Sequence, residues 1–304
     1  MRTFYQTKMK TVSFSQFSIY KQCPKKWKLD YLENKRVFEQ TIHTCFGSAF
    51  HSTVQQYLEV VYNKTANAAN KMDLPGLLKE SMFSEYKTAL EKNGNQHFST
   101  PTELAEFHQD GAIILDYLKK HRRKFFPSKG CKLIGIEKPL RLNLTDHIAF
   151  IGFLDIVVYD KDLDVIKIYD IKTSGTGWNK YQKADPGKYA QLVLYKEFYS
   201  KQFNHPVDQI EIEFVIVRRK INEEAEFVPK RIQSFIPPSG KITRNKVLKM
   251  FTDFLNNCYT DDGEYNQNGL YPAYKSPLCP YCSYNNDDVS CPKKERIGKD
   301  QRDE

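Results

Sequence analysis

Apolar residues recur at helical spacing through the first 125 residues of the chain. Ser13 or Ser15 can cap an opening helix. Residues 47–62 place their large apolar side chains on one face, and the stretches 74–91 and 101–124 continue the same periodicity. The pattern therefore predicts four helices before the first convincing strand.

From residue 132 the periodicity changes to short runs of β-branched and aromatic residues. These runs predict strands over 133–137, 148–159, 165–171, 210–217 and 231–236, with helices over 184–203 and 241–259. A polar turn at 160–164 indicates a hairpin between the second and third strands. The pattern predicts an α/β protein, in which a small central mixed sheet is flanked by helices, preceded by a helical N-terminal region and followed by a cysteine-bearing C-terminal tail.

Composition narrows the class of protein. Of 304 residues, 40% are hydrophobic and 13% aromatic, which excludes a disordered or collagen-like chain. No run approaches the roughly 18 to 20 apolar residues of a membrane span, so no membrane partner is expected. Residues 1–10 lack the apolar core of a signal peptide, which predicts an intracellular protein, in the cytoplasm or in host cytoplasm if viral. A net charge of +9 favours a polyanion such as nucleic acid and a solvated basic surface about equally.

Two short segments carry the candidate chemistry. Asp155 lies in the predicted strand 148–159, Asp170 lies in the next one, and Lys172 directly follows its predicted end. If these strands pair as an antiparallel hairpin, the two carboxylates lie side by side, and Asp170 and Lys172 share a face. Paired carboxylates can bind a divalent cation, and a neighbouring lysine can stabilise charge on a phosphate oxygen. The alternative for an isolated Asp-x-Lys triplet is a structural ion pair.

Five motifs in a fixed order decide between those interpretations. They are Ser15 to Tyr20 with Cys23, Pro24 and Trp27; Gly47–Ser48–Ala49–Phe50–His51; Gly152–Phe153–Leu154–Asp155; Asp170–Ile171–Lys172–Thr173; and Gln191–Leu192–Val193–Leu194–Tyr195. In this order they resemble the RecB-type branch of the PD-(D/E)xK nuclease superfamily. Each motif is weak by itself, and their number and order carry the resemblance. The resemblance implies a restriction-endonuclease-like core.

The resemblance also implies roles for individual residues. His51, Asp155, Asp170 and the carbonyl of Ile171 would hold Mg²⁺ or Mn²⁺. Lys172 would be the catalytic lysine, and Gln191 and Tyr195 would position the DNA backbone or that lysine. Glu137 is interpreted as a solvated edge residue, with an additional acidic role at the site as the less favoured alternative.

Cysteines near both ends of the chain form a second pattern. Cys279, Cys282 and Cys291 lie near the C-terminus, and Cys23 lies near the N-terminus. This arrangement resembles the iron–sulfur staple of AddB-type and CRISPR-adaptation nucleases, which implies a [4Fe–4S] cluster, although four thiolates equally suit Zn²⁺. The spacing from Cys282 to Cys291 is longer than that family's. The remaining three, Cys45, Cys131 and Cys258, are interpreted as small buried hydrophobes.

Basic and aromatic residues are candidates for DNA contacts. The runs Lys119–Lys120–His121–Arg122–Arg123–Lys124 and Arg218–Arg219–Lys220 fit phosphate contacts, and Trp178 and Tyr181 could stack on a base. Solvated helix ends and core packing are the structural alternatives.

The functional prediction is a metal-dependent DNA exonuclease that acts on single-stranded or end-containing DNA in recombination, repair or replication. A helicase or recombination partner is the expected companion, and the oligomeric state stays open. The alternatives are a catalytically silent DNA-binding module on the same fold and a structure-specific endonuclease. We expect one interleaved domain over 1–295, comprising a helical part (13–125), a sheet core (131–220) and a C-terminal part (238–295), followed by a mobile charged tail (296–304).

Overall fold

A computed structural model describes residues 9–36 and 40–297 of the chain. Its α-helices have the following bounds: α1 Phe14–Gln22, α2 Pro24–Trp27, α3 Ile42–Asn63, α4 Ala66–Asn70, α5 Leu74–Lys92, α6 Pro101–Phe125, α7 Lys180–Ala184, α8 Pro186–Phe203 and α9 Lys241–Cys258. None of the helices in this part of the chain combines the length and hydropathy needed to cross a membrane.

The strands form one six-stranded mixed sheet. Their bounds are β1 Lys10–Ser13, β2 Cys131–Asn143, β3 Ile148–Asp160, β4 Val165–Ser174, β5 Ile210–Arg218 and β6 Ile232–Phe235. The order is β1-β3-β4-β5-β6, with β2 also paired to β3. The pairs β3–β4 and β5–β6 are antiparallel, whereas β1–β3 and β4–β5 are parallel. The predicted α/β class, with a mixed sheet flanked by helices, is confirmed.

The chain divides into two compact units that are each discontinuous in sequence. The first unit takes its described residues from 1–38, 141–152 and 241–304, and the second from 39–140 and 153–240. The expected single interleaved domain stays a prediction. Arg296, at the start of the predicted mobile tail, is buried and donates to the backbone carbonyl of Tyr284. Residues 298–304 of that tail lie outside the described residues.

Helix α3 organises the second unit. Thr41 and Thr44 form a capping box at its start, which satisfies backbone N–H groups that the first turn leaves free. Its apolar face buries Phe46, Phe50 and Leu58 in a core shared with α5, α6 and the sheet. Sheet residues such as Ile171 enter the same core, so this face of β4 is fixed against the helices.

The first unit is built around Trp27, whose side chain is fully buried. The ring of Tyr271 stacks on the indole with the centroids 5.7 Å apart, and further aromatic rings contact the edges of the indole. These are Tyr20, Phe254, Tyr259 and Tyr265. Residues from both ends of the chain therefore share one aromatic core.

The sequence missed one strand. Residues 10–13 form β1, so a strand precedes the opening helix, which Ser13 caps by accepting from the N–H of Gln16. A four-residue strand has too few positions to show alternation, and its partner residues 148–151 are distant in sequence. The hairpin between β3 and β4 is confirmed.

Candidate active site

Strand β4 supplies an aspartate and a lysine to one face of the sheet. Asp170 and Lys172 are two residues apart, so their side chains project together. The Lys172 ammonium lies 2.8 Å from Oδ2 of Asp170. Asp170 is buried, while Lys172 is partly exposed. The predicted pairing of these two residues is present in the structure.

The second carboxylate comes from the neighbouring strand. The antiparallel register pairs Ile156 with Tyr169, which places Asp155 and Asp170 at the next position along the ladder. Oδ2 of Asp155 accepts the backbone N–H of Ile171 at 2.8 Å. The hairpin therefore brings together two carboxylates that lie fifteen positions apart in sequence, as its turn predicted.

Helix α3 contributes the imidazole. Nδ1 of His51 lies 3.5 Å from Oδ2 of Asp155, and the ring also hydrogen-bonds the backbone of Ile171. The helix can approach the sheet because residue 47 is glycine: a Cβ at Gly47 would lie 3.3 Å from Oγ1 of Thr173. Gly47 and His51 are four residues apart and so share one helix face.

Helix α8 holds the lysine from the other side. Nζ of Lys172 donates to Oε1 of Gln191 at 2.9 Å, and Nε2 of Gln191 donates to the Tyr195 hydroxyl at 3.3 Å. Burial raises the pKa of Tyr195, so its phenol keeps its proton at neutral pH. All the predicted side chains on β3, β4, α3 and α8 thus converge on one place, with the peptide group of Ile171 between them.

The electrostatics of the site follow from burial and from the closeness of the carboxylates. The pKa of Asp155 is raised well above its usual value, first by burial and then by the nearby charge of Asp170; Lys172 opposes the shift. Burial lowers the pKa of His51, against the effect of Asp170, so the imidazole is neutral at pH 7. A neutral imidazole is the form that binds metal.

The donor set fits a divalent cation. Oδ2 of Asp170 is buried and has the Lys172 ammonium within ion-pair distance, but no donor of a described residue is aligned for a hydrogen bond. Two carboxylates, one neutral imidazole and a backbone carbonyl suit Mg²⁺ or Mn²⁺. Across residues 9–36 and 40–297, however, no three His, Cys, Asp or Glu side chains stand at ligand spacing. Lys172 and the Ile171 N–H instead contact the carboxylates, and the metal-ligand assignment stays a prediction.

Glu137 has more to do with the site than the sequence indicated. It is exposed, as expected, but its charge raises the pKa values of Asp155 and His51. Its carboxylate accepts a 2.5 Å hydrogen bond from Gln55, and its backbone is left-handed with φ of 46°. Gln55 continues the stripe of residues 47 and 51 on α3. That spacing was the signal available in the sequence.

The four cysteines of the proposed staple lie in the first unit. Cys23, Cys279, Cys282 and Cys291 line one cavity of about 160 Å³. Burial raises the pKa of Cys282 and of Cys291, which favours their thiol forms. The described residues contain no group ready to bind an iron–sulfur cluster or zinc. Of the other cysteines, Cys45 and Cys258 are buried as expected, whereas Cys131 is only partly so.

The structure shows which of the basic and aromatic candidates for DNA contacts have structural roles instead. Arg122 is buried, and Lys119 donates to the carbonyl of Met72, so these members of the first run have structural roles. The ring of Trp178 packs against that of Phe214, with the centroids 5.0 Å apart. This is core packing, the structural alternative to stacking on a base. Tyr181 is 74% exposed, and the Lys180 ammonium lies 5.0 Å from the centre of its ring.

Comparison with known proteins identifies the family. A model of the PD-(D/E)XK nuclease superfamily matches residues 11–286, and the chain belongs to this superfamily. A crystal structure from Eubacterium rectale, described as a candidate exonuclease, is similar with a TM-score of 0.46 and 11% identity, covering 84% of this chain and 82% of that one. A search of curated proteins finds no match. The superfamily is one of hydrolytic nucleases that generally use divalent metals such as Mg²⁺ or Mn²⁺.

Proposed function

We propose that this protein is a metal-dependent DNA exonuclease that hydrolyses phosphodiester bonds of single-stranded or end-containing DNA, in recombination, repair or replication. The observation that carries the proposal is the convergence of His51, Asp155, Asp170 and Lys172 around the Ile171 peptide. We also propose that the protein belongs to the RecB-type branch of the superfamily. Its proposed partner is a helicase or another recombination protein.

Each residue has a definable task in this proposal. The two aspartates, His51 and the Ile171 carbonyl would hold Mg²⁺ or Mn²⁺, which when bound supplies Lewis-acid activation and neutralises developing charge. Lys172 presents an ammonium that stabilises negative charge on a phosphate oxygen. Gln191 fixes the direction of that ammonium by accepting one of its hydrogens.

Substitutions on β4 test the assignment. Asp170→Asn and Lys172→Met should each lower cleavage of a labelled DNA oligonucleotide by at least about 1,000-fold in Mg²⁺ or Mn²⁺, since each removes a charge that acts on the reacting phosphate. Circular dichroism and the melting temperature should show that both variants remain folded.

The same hairpin offers matched controls. Lys161→Ala removes an exposed lysine from the turn, and Asp164→Asn changes an aspartate in the same turn, where a φ of 53° suits asparagine. Both controls should keep cleavage. Wild-type levels of cleavage by the Asp170 and Lys172 variants would refute the assignment.

Substrate ends separate the proposed activity from the endonuclease alternative. An exonuclease degrades linear single strands but leaves circular single strands and covalently closed duplexes intact. Cutting of the closed substrates would replace the exonuclease with an endonuclease. An absence of metal-dependent degradation on every substrate would favour the catalytically silent module.

The four cysteines are proposed as ligands of a [4Fe–4S] cluster, with Zn²⁺ as the alternative. The support is that all four line one cavity. Anaerobic purification followed by an absorption spectrum and iron and zinc analysis tests this. Neither metal at stoichiometric level would leave four structural thiols.

A further inference from the structure

Three cations surround one pocket of the second unit. This pocket of about 290 Å³ is lined by Lys124 at the end of α6, Arg218 at the end of β5 and Lys230 before β6. Its wall contains no aspartate or glutamate within the described part of the chain. Lys124 and Lys230 are exposed and Arg218 is half-buried. The pocket therefore concentrates positive charge at the protein surface.

Neighbouring cations of the same sequence run are already neutralised. Arg219 and Lys220 both form ion pairs with Glu106 and Asp110 of α6. By contrast, none of the three pocket cations has an ion-pair partner among residues 9–36 and 40–297. The structure thus selects Arg218, and not the two residues after it, as the cation available to an external anion.

Arg218 has unused hydrogen-bonding capacity. Its Nη1 donates to the Lys230 carbonyl at 3.3 Å, whereas its buried Nε–H has no acceptor in the part of the chain that the structure describes. A guanidinium carries five N–H donors, and a buried donor without an acceptor is costly. The oxygens of a phosphate match this geometry.

One acid touches the pocket wall. Glu213 accepts a hydrogen bond from the hydroxyl of Ser234, which lines the pocket. Burial raises the pKa of Glu213, because it disfavours the charged form of the carboxylate. The net character of the pocket stays positive.

The pocket is linked to the catalytic strand. Arg218 pairs with Ser174, which lies two residues beyond Lys172 on β4, about 7 Å along a strand. The loop after Ser174 runs over the arginine: Gly177 has φ of 90°, and a Cβ there would lie 2.4 Å from Nε of Arg218. One polynucleotide strand can therefore reach both Lys172 and the pocket.

We infer that this pocket binds a backbone phosphate of the substrate strand next to the phosphodiester that is cleaved. The inference rests on the proposed nuclease function. A phosphate is the expected occupant because the pocket offers cations and N–H donors, which position a nucleic-acid backbone without reading its sequence. The pocket thus adds a substrate-binding subsite to the residues already described.

The double variant Lys124→Gln/Lys230→Gln tests the subsite, and both positions are exposed, so folding should be retained. We expect the KM for a single-stranded oligonucleotide to rise about tenfold, because two phosphate-directed charges are lost. The slope of log Kd against log salt, measured by fluorescence anisotropy in chelator, should become shallower by about 1.4, or about 0.7 for each contact. Arg218→Gln should act in the same direction.

Two controls separate binding from a structural effect. Lys79→Gln/Lys87→Gln removes the same charge from α5, away from the pocket, and should keep the wild-type KM and salt slope. A p-nitrophenyl ester of thymidine 5′-monophosphate has no neighbouring phosphate. For the Lys124/Lys230 variant, the ratio of kcat/KM for the oligonucleotide to that for the ester should fall about tenfold.

The outcomes distinguish the subsite from the nuclease proposal. An unchanged KM and salt slope in the Lys124/Lys230 variant, or equal losses on both substrates, would overturn the subsite. If the wild type cleaves neither substrate, the nuclease proposal fails. In that case the salt slopes in chelator still decide whether the pocket binds DNA.

Discussion

At the scale of residues, the site is an arrangement of opposed charges. Asp155 and Asp170 repel each other, and burial removes the water that would separate their charges. The Lys172 ammonium compensates Asp170, and the Ile171 N–H compensates Asp155. This balance makes the site costly for folding and suited to a divalent cation.

Asp155→Asn should therefore stabilise the protein while it abolishes cleavage. The raised pKa of Asp155 means that its charged form is disfavoured in the fold, so stability falls as pH rises from the unfolded-state value near 4 through the folded-state value. Asparagine removes this penalty and keeps an oxygen for the Ile171 N–H. The melting temperature at pH 7.5 in chelator should rise by about 2 °C for each 1 kcal/mol gained.

Adding Mg²⁺ supplies the control for this prediction. It should raise the melting temperature of the wild type and leave that of Asp155→Asn nearly unchanged, because only the wild type retains the carboxylate. A variant that melts below the wild type in chelator would show that the carboxylate is not a net cost to folding.

We expect Gln191 to act as a positioning residue for Lys172. Gln191→Ala should lower kcat by about tenfold or more, since the ammonium loses the acceptor that orients it, while KM and the melting temperature change little. Gln191→Glu keeps an acceptor and should recover most of kcat. Lys201→Ala, an exposed change on the same helix, should have no effect. Equal loss in the alanine and glutamate variants would contradict the positioning role.

At the scale of elements, the β3–β4 hairpin sets the register that aligns Asp155 with Asp170. Its turn is held by Asp160, which accepts the N–H groups of Asp162 and Leu163 and pairs with Lys167 at 2.8 Å. Hydrogen bonding to Lys167 lowers the pKa of Asp160. The turn and the Asp155–Asp170 pair thus lie at opposite ends of the paired β3–β4 ladder.

Asp160→Asn should destabilise the fold at neutral pH. Because the pKa of Asp160 is lower in the folded state, its charge stabilises the fold at pH values above the unfolded-state pKa near 4. This stabilisation is lost as the pH falls through the folded-state pKa. We expect a loss of about 1 kcal/mol from pH 5 to 8, because a partly buried charged hydrogen bond is removed. The difference from the wild type should shrink below pH 4, as urea unfolding at several pH values will show. A difference that is independent of pH would contradict the ion pair as its source.

At the scale of the whole molecule, both ends of the described chain meet in the first unit. Trp27 lies among rings from residues 254 to 271, so the N-terminal and C-terminal segments share one core. The indole N–H is buried and has no hydrogen-bond partner among the described residues, which indicates that Trp27 contributes through packing.

Trp27→Ala should lower the free energy of unfolding by about 3 to 5 kcal/mol, the range for removing a buried large aromatic side chain. Urea unfolding followed by far-UV circular dichroism measures this loss. Trp27→Phe should cost much less, because a ring remains and no hydrogen bond is lost. If both variants cost the same, packing is not what Trp27 contributes.

Sequence periodicity determined most helices and strands, because each is a local pattern of five or more residues. The hairpin that aligns residues 155 and 170 was also local, since a four-residue turn, residues 161–164, joins its strands. The motifs at 47–51 and 191–195 could be recognised in the sequence, because residues four apart in a helix lie on one face. The superfamily and the fold class therefore followed from the sequence, and the side chains predicted for the site lie together in the structure.

Tertiary structure alone decided which charges are available and what they face. The sequence gives Arg218, Arg219 and Lys220 the same character, but the last two meet the acids of α6 and the first does not. Three other features likewise depend on partners distant in sequence: the formation of strand β1, the position of Glu137 beside the site and the packing of Trp178 against Phe214. Periodicity carries no information about such partners, because pairing and burial are set by the whole fold and not by neighbours along the chain.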